Sequence, residues 1–460
     1  MSRGYLPIDR HPIADLRSGK VTPPWALWFQ ELAATLPANL VNRGSLPAPT
    51  TTVGLVEVWP PQEYLGDGVI YAPDGTLVST SGSTSSGLQE AINYACLDPG
   101  GFDLLVHGGG DQADQTPPSF GASCAYLVDG TLDIPAVQGK RITFDAATIA
   151  FGGITAEPCI RFDSFMMFHW AMHGGQVATT GRTGNLVLFD PRNPVPLDGT
   201  IGCIDSSVEF CAIAGIAAGA AQVRFRANTG DLSNLTFFAN EINAGNTAIQ
   251  IDTPTGGVLS VGYLRIICPH IHGQFGTDPA VRVGHAAGAA NERIRDVYWN
   301  LHILHDPTGG GDGFFSRATR DRGFVALAGV PNTQYDVRFE DEAQQGDLMV
   351  STDTLAADFA TMVRDASAAQ NNRVSGLRSA RKTLTPSGSP YVYPADTDYE
   401  LLPRDHVFTV LAGTVTAIEV SYDGGTTWDP TGLTAGVFTH HPGWRHQITY
   451  AVAPTMAAIL

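Results

Sequence analysis

The chain reads as an all-β protein: a right-handed parallel β-helix with a short N-terminal anchoring helix and a C-terminal antiparallel, β-sandwich-like module. Three observations point there. From Arg141 to Glu342 short β-type runs recur between Gly, Asn, Asp and Pro residues, with no long helical period. The runs are irregularly spaced, commonly 10 to 25 residues apart, and lack the strict Asn-Gly hairpin turns that a meander or sandwich needs. The last 75 residues instead alternate apolar and polar positions around Asp423-Gly424-Gly425 and Pro442-Gly443 turns.

A parallel β-helix fits the middle pattern because each coil returns through bends, and insertions of varied length leave one continuous core. Residues 141–345 at about 20 to 25 per coil predict eight or nine coils. Its expected strands include Cys159 to Phe162, Leu186 to Phe189, Gln222 to Phe225, Tyr263 to Ile267, Val297 to Leu304 and Val337 to Phe339.

Upstream, residues 1–52 form an expected anchoring segment. Thr22 before Pro23 and Pro24 is a strong helix start, and Pro37 ends the helix. Trp25, Trp28, Phe29, Leu32 and Leu36 then share one face. The flanking sequence holds no obvious core for that face, so a partner chain or larger assembly is the expected receiver. Residues 53–140 are a strand and linker region ending in the β-helix cap. Ser86 to Gln89 has capping-box spacing, and Leu88, Ala91, Ile92 and Ala95 make a short amphipathic helix placed to cover an open sheet edge. Residues 346–384, polar and dotted with Arg, are expected to connect the β-helix to the module at 385–460. That module's expected strands are Val407 to Leu411, Thr416 to Val420, Gly436 to Thr439 and Gln447 to Ala451.

Composition excludes several functions. The net charge is −18, with lysine only at positions 20, 140 and 382, so no basic stripe is available for nucleic acid. No apolar run is long enough to span a bilayer, and no secretory leader is evident. The six cysteines form no C-x-x-C pair and read as reduced, buried thiols.

Sharp catalytic signatures are absent: no P-loop, no G-x-S-x-G, no H-E-x-x-H. Cys268, His270 and His272 are expected on one strand face, but nothing nearby completes a metal set, so no metal or cofactor is assigned. Tyr298, Asn300 and His302 form the polar parity of a strand, with Asp306 and Asp312 after them in a Gly-rich loop. Aromatic, amide and carboxylate groups on a rigid face suit sugar binding, so these five are candidate glycan-binding residues. Paired carboxylates for glycoside hydrolysis are available among Asp205, Glu209, Asp231, Glu241, Asp252, Asp306 and Asp312, but their pairing is spatial and no catalytic residue is assigned. Trp428 and Trp444, at the module's turns, are candidates either for sugar stacking or for covering a small core.

In three places the chain resembles bacteriophage tailspike and tail-fibre proteins. SGKVTPPWALWFQELAATLP looks like the segment with which many phage fibre proteins open. GLQEAINYA, followed by YLVDGTLDIP, is similar to the cap helix and first strands of tailspike β-helices. GTVTAIEVSYDGGTTWDPTGLTAGVF, with HPGWRHQITYAVAPTM, strongly resembles a small β-module that ends many phage tail proteins. The resemblance covers about a third of the chain. It implies a homotrimeric virion protein, assembled in the host cytoplasm, that attaches through Trp25, Trp28, Phe29 and Leu32 to other virion proteins of the tail or portal region and binds a host surface glycan. The alternative is a polysaccharide depolymerase, hydrolase or lyase, on the same scaffold.

Overall fold

The computed structural model describes residues 55–60, 68–97, 102–108, 125–196, 199–215, 220–253, 259–273, 277–285, 293–305, 311–330, 334–352, 363–376, 381–393 and 405–459, apart from 81, 154–155, 180–181, 370 and 385. The anchoring helix expected within residues 1–52 lies outside them.

Strands that recur once per coil pair in parallel with the coil before and the coil after, which makes the body a parallel β-helix. One wall is a nine-stranded parallel sheet from Leu132–Ile134 to Val363–Ser367. The other walls form a larger sheet, parallel throughout its stacked coils. Val187 pairs with Val223, 36 residues on, and Phe314 with Val337, 23 residues on, so most coils exceed the expected 20 to 25. Their surplus lies in the connections.

The stack also extends past both expected limits. Leu55–Trp59 pairs in parallel with Asp103–His107, which pairs with Arg141–Asp145. Among the described residues the coils therefore already include Leu55, inside the region read as strand and linker. At the far end Asp347–Thr352 and Arg373–Ser375 continue the ladder, and Arg381–Leu384 already pairs with the terminal module. Little connecting region is left: Asp347–Thr352 keeps its buried positions in period two, a signal hidden by its polar outward residues.

Register puts like on like inside. Phe162, Phe189 and Phe225 stack in successive coils, centroids 4.9 and 4.6 Å apart and planes within 8°. On the larger sheet Leu104, Ile142, Trp170, Val208, Phe237, Ile266 and Trp299 share one buried column. This dry interior is the main stabilising term.

One corner recurs without a shared residue type. Met167, Asp205, Asn234, Tyr263, Asp296, Arg320 and Gln345 all take positive φ, between 49° and 62°, each just after a short parallel pairing with an adjoining coil. A non-glycine residue pays about 1 to 3 kcal/mol for such a conformation. Bonds along the stack offset it: Asn234 donates to Asp205 at 2.6 Å, and Arg320 grips Asp296 at 2.7 and 2.6 Å.

The expected cap helix is α1, Leu88–Leu97, with Leu88, Ala91, Ile92 and Ala95 buried. Its start differs from the Ser86 to Gln89 box. Ser85 Oγ accepts the Gln89 N–H at 2.9 Å and also donates to Glu90, while Ser86, at positive φ, bonds back to the Leu127 backbone. Gln89 instead clasps the backbone of Asp133 through both amide atoms, at 2.8 and 2.7 Å. Asp133 lies in the outermost strand of the nine-stranded sheet, so α1 satisfies an edge that would otherwise be open to pairing.

The terminal module is antiparallel. Its two expected strands Val407 to Leu411 and Thr416 to Val420 are one 16-residue strand, His406–Ser421, that bends through bulges between Val410 and Ala417. Gly413 is the bend: its φ is +98° and a Cβ there would lie 2.5 Å from Pro454 Cα. Bending folds the two halves face to face around Tyr393, Phe408, Ile418, Ile448 and Met456.

Candidate functional site

Strand Tyr298–His305 alternates as expected: Tyr298, Asn300 and His302 face out, Trp299, Leu301 and Ile303 in. Its ridge is less open than the sequence suggests. Arg265, the register neighbour of Tyr298, lies with its guanidinium 5.6 Å over the tyrosine ring, so one stacking face already holds a cation. Asn300 sits between Ile267 and Phe324 of the adjoining coils. Asp306 lies outside the described residues. Asp312 does not join the ridge: it flanks the nine-stranded sheet, is 5% exposed, and accepts the Tyr335 N–H at 2.9 Å and Arg338 at 3.4 Å. Burial under Arg338 gives it a structural partner rather than a sugar.

Cys268, His270 and His272 do not share a face. A bulge between Cys268 and Ile271 shifts the parity, turning Cys268 and Ile271 inward and leaving the two histidines outside, rings 6.3 Å apart. Among the described residues no group of three His, Cys, Asp or Glu side chains could hold a metal ion, and no helix is long and apolar enough to cross a membrane. The five described cysteines are free thiols, four buried and Cys211 half-buried. Burial pushes the thiols of Cys96, Cys159 and Cys268 up to about 12, so they stay protonated and unreactive. Cys124 lies outside the described residues.

Four more of the candidate carboxylates are taken up in structural bonds. Asp205 accepts from Asn234, Asp231 from Ser260, Asp252 from Arg224 and Glu241 from Asn243. Sequence reasoning missed an arginine column on the outer face of the nine-stranded sheet, where Arg161, Arg224, Arg282, Arg338 and Arg364 align through the register. Asp133 and Glu157, Asp252, Asp278, and Asp312 with Glu340 neutralise the first four. The column ties coils together and makes no basic stripe.

A constellation of aromatic and charged groups lies at the seam between the last coil and the module. Trp444, half-buried, meets the edge of Tyr422 at 4.9 Å and of His441 at 4.3 Å. Asp405 binds His441 Nδ1 at 2.9 Å and Arg373, from the last coil, at 3.4 Å. Tyr422 is 57% exposed. Two aromatic surfaces beside a carboxylate and a guanidinium supply stacking, acceptors and donors for a hydroxyl-rich ligand. Beneath them lies a buried histidine cluster. His440 and His446 face each other, Nδ1 to Nδ1, at 3.1 Å, and His406 shares a 2.6 Å hydrogen bond with Tyr393. Burial and the neighbouring imidazoles push His440 down to about 2, and burial with His441 pushes His446 down to about 4, so both are neutral near pH 7.

Trp428 and Trp444 are both half-buried. Trp444 joins the seam, whereas Trp428 lies over the 423–425 turn beside Arg445, its ring 3.5 Å from where a Cβ on Gly425 would sit. Trp444→Ala is expected to cost about 2 kcal/mol, below the ~3 to 5 kcal/mol of a fully buried tryptophan, and to reduce glycan retention. Trp428→Ala is expected to cost less and to leave retention intact. Thermal melts with glycan-affinity electrophoresis check both; equal retention by wild type and Trp444→Ala would remove the seam as a glycan site.

No protein-family model and no curated protein matches the chain. Among solved structures, it is similar to the enzymatically active domain of tailspike protein 4 of bacteriophage CBA120, at 8% identity and a TM-score of 0.19, over 94% of this chain and 79% of that one.

Proposed function

We propose that the chain is a structural virion protein, a trimeric tail spike or fibre that attaches to the particle through its N-terminal segment and binds a host surface polysaccharide. The observation that supports this reading is the order of parts along the chain: a helix-capped parallel β-helix, then an antiparallel terminal module, in the order the phage-like sequence segments imply. The seam around Trp444, Tyr422, Asp405 and Arg373 is the surface best suited to the glycan, with the Tyr298, Asn300 and His302 ridge as a second contact. Binding without cleavage is favoured because five of the seven candidate carboxylates, Asp205, Asp231, Glu241, Asp252 and Asp312, bond to structural partners.

Purified protein mixed with surface polysaccharide from a sensitive host is expected to retain the glycan without new reducing ends or absorbance from unsaturated products. Light scattering should give about three times the 48.8 kDa chain mass. A monodisperse monomer removes the trimer, and released reducing ends convert the binder into a depolymerase.

A further inference from the structure

Among the described residues, an apolar face of the first coil stays exposed. Leu55, Trp59, Val69, Tyr71 and Leu77 are each between 37% and 69% exposed. They are neighbours on one face: Trp59 is opposite Val69, Tyr71 is opposite Leu77, and Leu55 and Trp59 alternate outward along one strand. The polar member, Glu57, is bonded to His107 at 3.1 Å, and His107 stacks flat on Trp59 at 3.8 Å. The face is therefore held in place and carries an aromatic floor. Contiguous apolar surface of this kind marks an interaction site.

We propose that this face receives the aromatic stripe of the chain's own residues 22–36, made of Trp25, Trp28, Phe29, Leu32 and Leu36. Two facts select that occupant. The segment's stripe is apolar and aromatic like the face, and the sequence next to it holds no core to bury it. Residues 37–54, which link the two, lead directly to Leu55 on the face, and an extended stretch of 18 residues reaches about 60 Å, well beyond the ~20 Å length of the helix the sequence predicts over residues 23–36. A short tether gives an intramolecular partner a high effective concentration over any second molecule. This inference goes beyond the proposed function: with the stripe covered by its own first coil, residues 1–21 are left to meet the particle.

The test uses the full chain with a protease site inserted between Gly44 and Ser45. After cleavage the released N-terminal segment is expected to co-elute with the body in size exclusion, and to separate from it in a Trp59→Glu/Leu77→Glu variant whose melting matches wild type. If that variant misfolds, Leu77→Ser alone, at the edge strand, serves in its place and is expected to weaken co-elution at least tenfold in segment dilution. Separation of the wild-type segment, or equal retention by the variant, overturns the proposal. A Trp28→Cys/Leu77→Cys pair is expected to cross-link within one chain; cross-linked dimers instead would assign the face to a second copy and overturn it. Glycan retention by the body reports on the proposed function separately, whichever result is obtained.

Discussion

Gly323→Ala is expected to destabilise the middle coils by about 3 kcal/mol or more, because two independent penalties fall on one residue. Its φ is +123°, outside the range that side-chain-bearing residues adopt readily, and a Cβ there would lie 2.1 Å from the Trp299 carbonyl oxygen and 2.9 Å from the Trp299 nitrogen. Those neighbours are backbone atoms of the adjoining coil, paired directly with residue 323, so the strand itself must separate. Trp299, completely buried, sits at this point and donates its indole N–H to the buried carboxylate of Asp321 at 2.9 Å. Separating the coils strains that bond and the Ser316 hydroxyl that also donates to Asp321. Chemical denaturation should show a lower midpoint, and hydrogen exchange should be fastest in peptides covering Tyr298–His305 and Arg322–Ala328. A variant melting within about 0.5 °C of wild type, a shift worth well under 1 kcal/mol in a body of this size, would show that the coils can part without cost.

The strands of this fold were legible because their physics is local. Tyr298–His305 and Asp103–His107 alternate buried and half-buried or exposed residues in the chain itself, and period two is enough to place them. The corners were not legible. Met167, Asn234, Tyr263 and Arg320 have no residue type in common, yet all adopt the same left-handed bend. At Asn234 and Arg320 hydrogen bonds to the preceding coil hold it, over separations of 29 and 24 residues that no local window contains. The bulge after Cys268 escaped for the same reason, and with it the sidedness of His270 and His272. At the candidate site, the outward parity of Tyr298 could be read, but the guanidinium over its ring comes from the preceding coil. The seam joins Arg373 to Asp405 across 32 residues and Trp444 to Tyr422 across 22, so its parts appeared in the sequence only as a Trp near a turn. The terminal hairpin turn is the opposite case: Asp423 accepts both the Thr426 and Thr427 N–H groups, a self-contained motif visible from Asp-Gly-Gly alone.

Mild acid is expected to loosen the terminal module while leaving the β-helix intact. His440 and His446 are neutral in the fold, with values near 2 and 4, whereas in the unfolded chain each takes a proton near 6.5. A depressed histidine stabilises the fold above about pH 6.5, and that contribution is lost as pH falls toward the folded value, because only the unfolded chain binds the proton. His446 alone accounts for a loss on the order of 3 kcal/mol by pH 4. Geometry makes the effect cooperative: with Nδ1 atoms 3.1 Å apart, one imidazole must accept the other's proton, and protonating both would place two cations in contact. The groups facing the cluster do not offset that charge. Tyr393, Phe408 and Phe438 pack on the rings, His406 is a third imidazole, and Asp405, the nearest carboxylate in the bonding network, binds His441 and Arg373. At the buried Asp321 of the β-helix the sign is opposite. Burial raises Asp321 to about 6, so its contribution grows as pH falls from about 6 toward the ordinary carboxylate range. Hydrogen exchange between pH 7.5 and 4.5, corrected for the intrinsic rate, should therefore show protection falling in peptides from His406–Ser421 and Arg445–Ile459 while those from Phe314–Ser316 and Arg322–Ala328 hold. His446→Gln should lower stability at pH 7.5 yet flatten the acid response. Equal acid loss in both regions, or an unchanged slope in His446→Gln, would place the sensitive groups elsewhere.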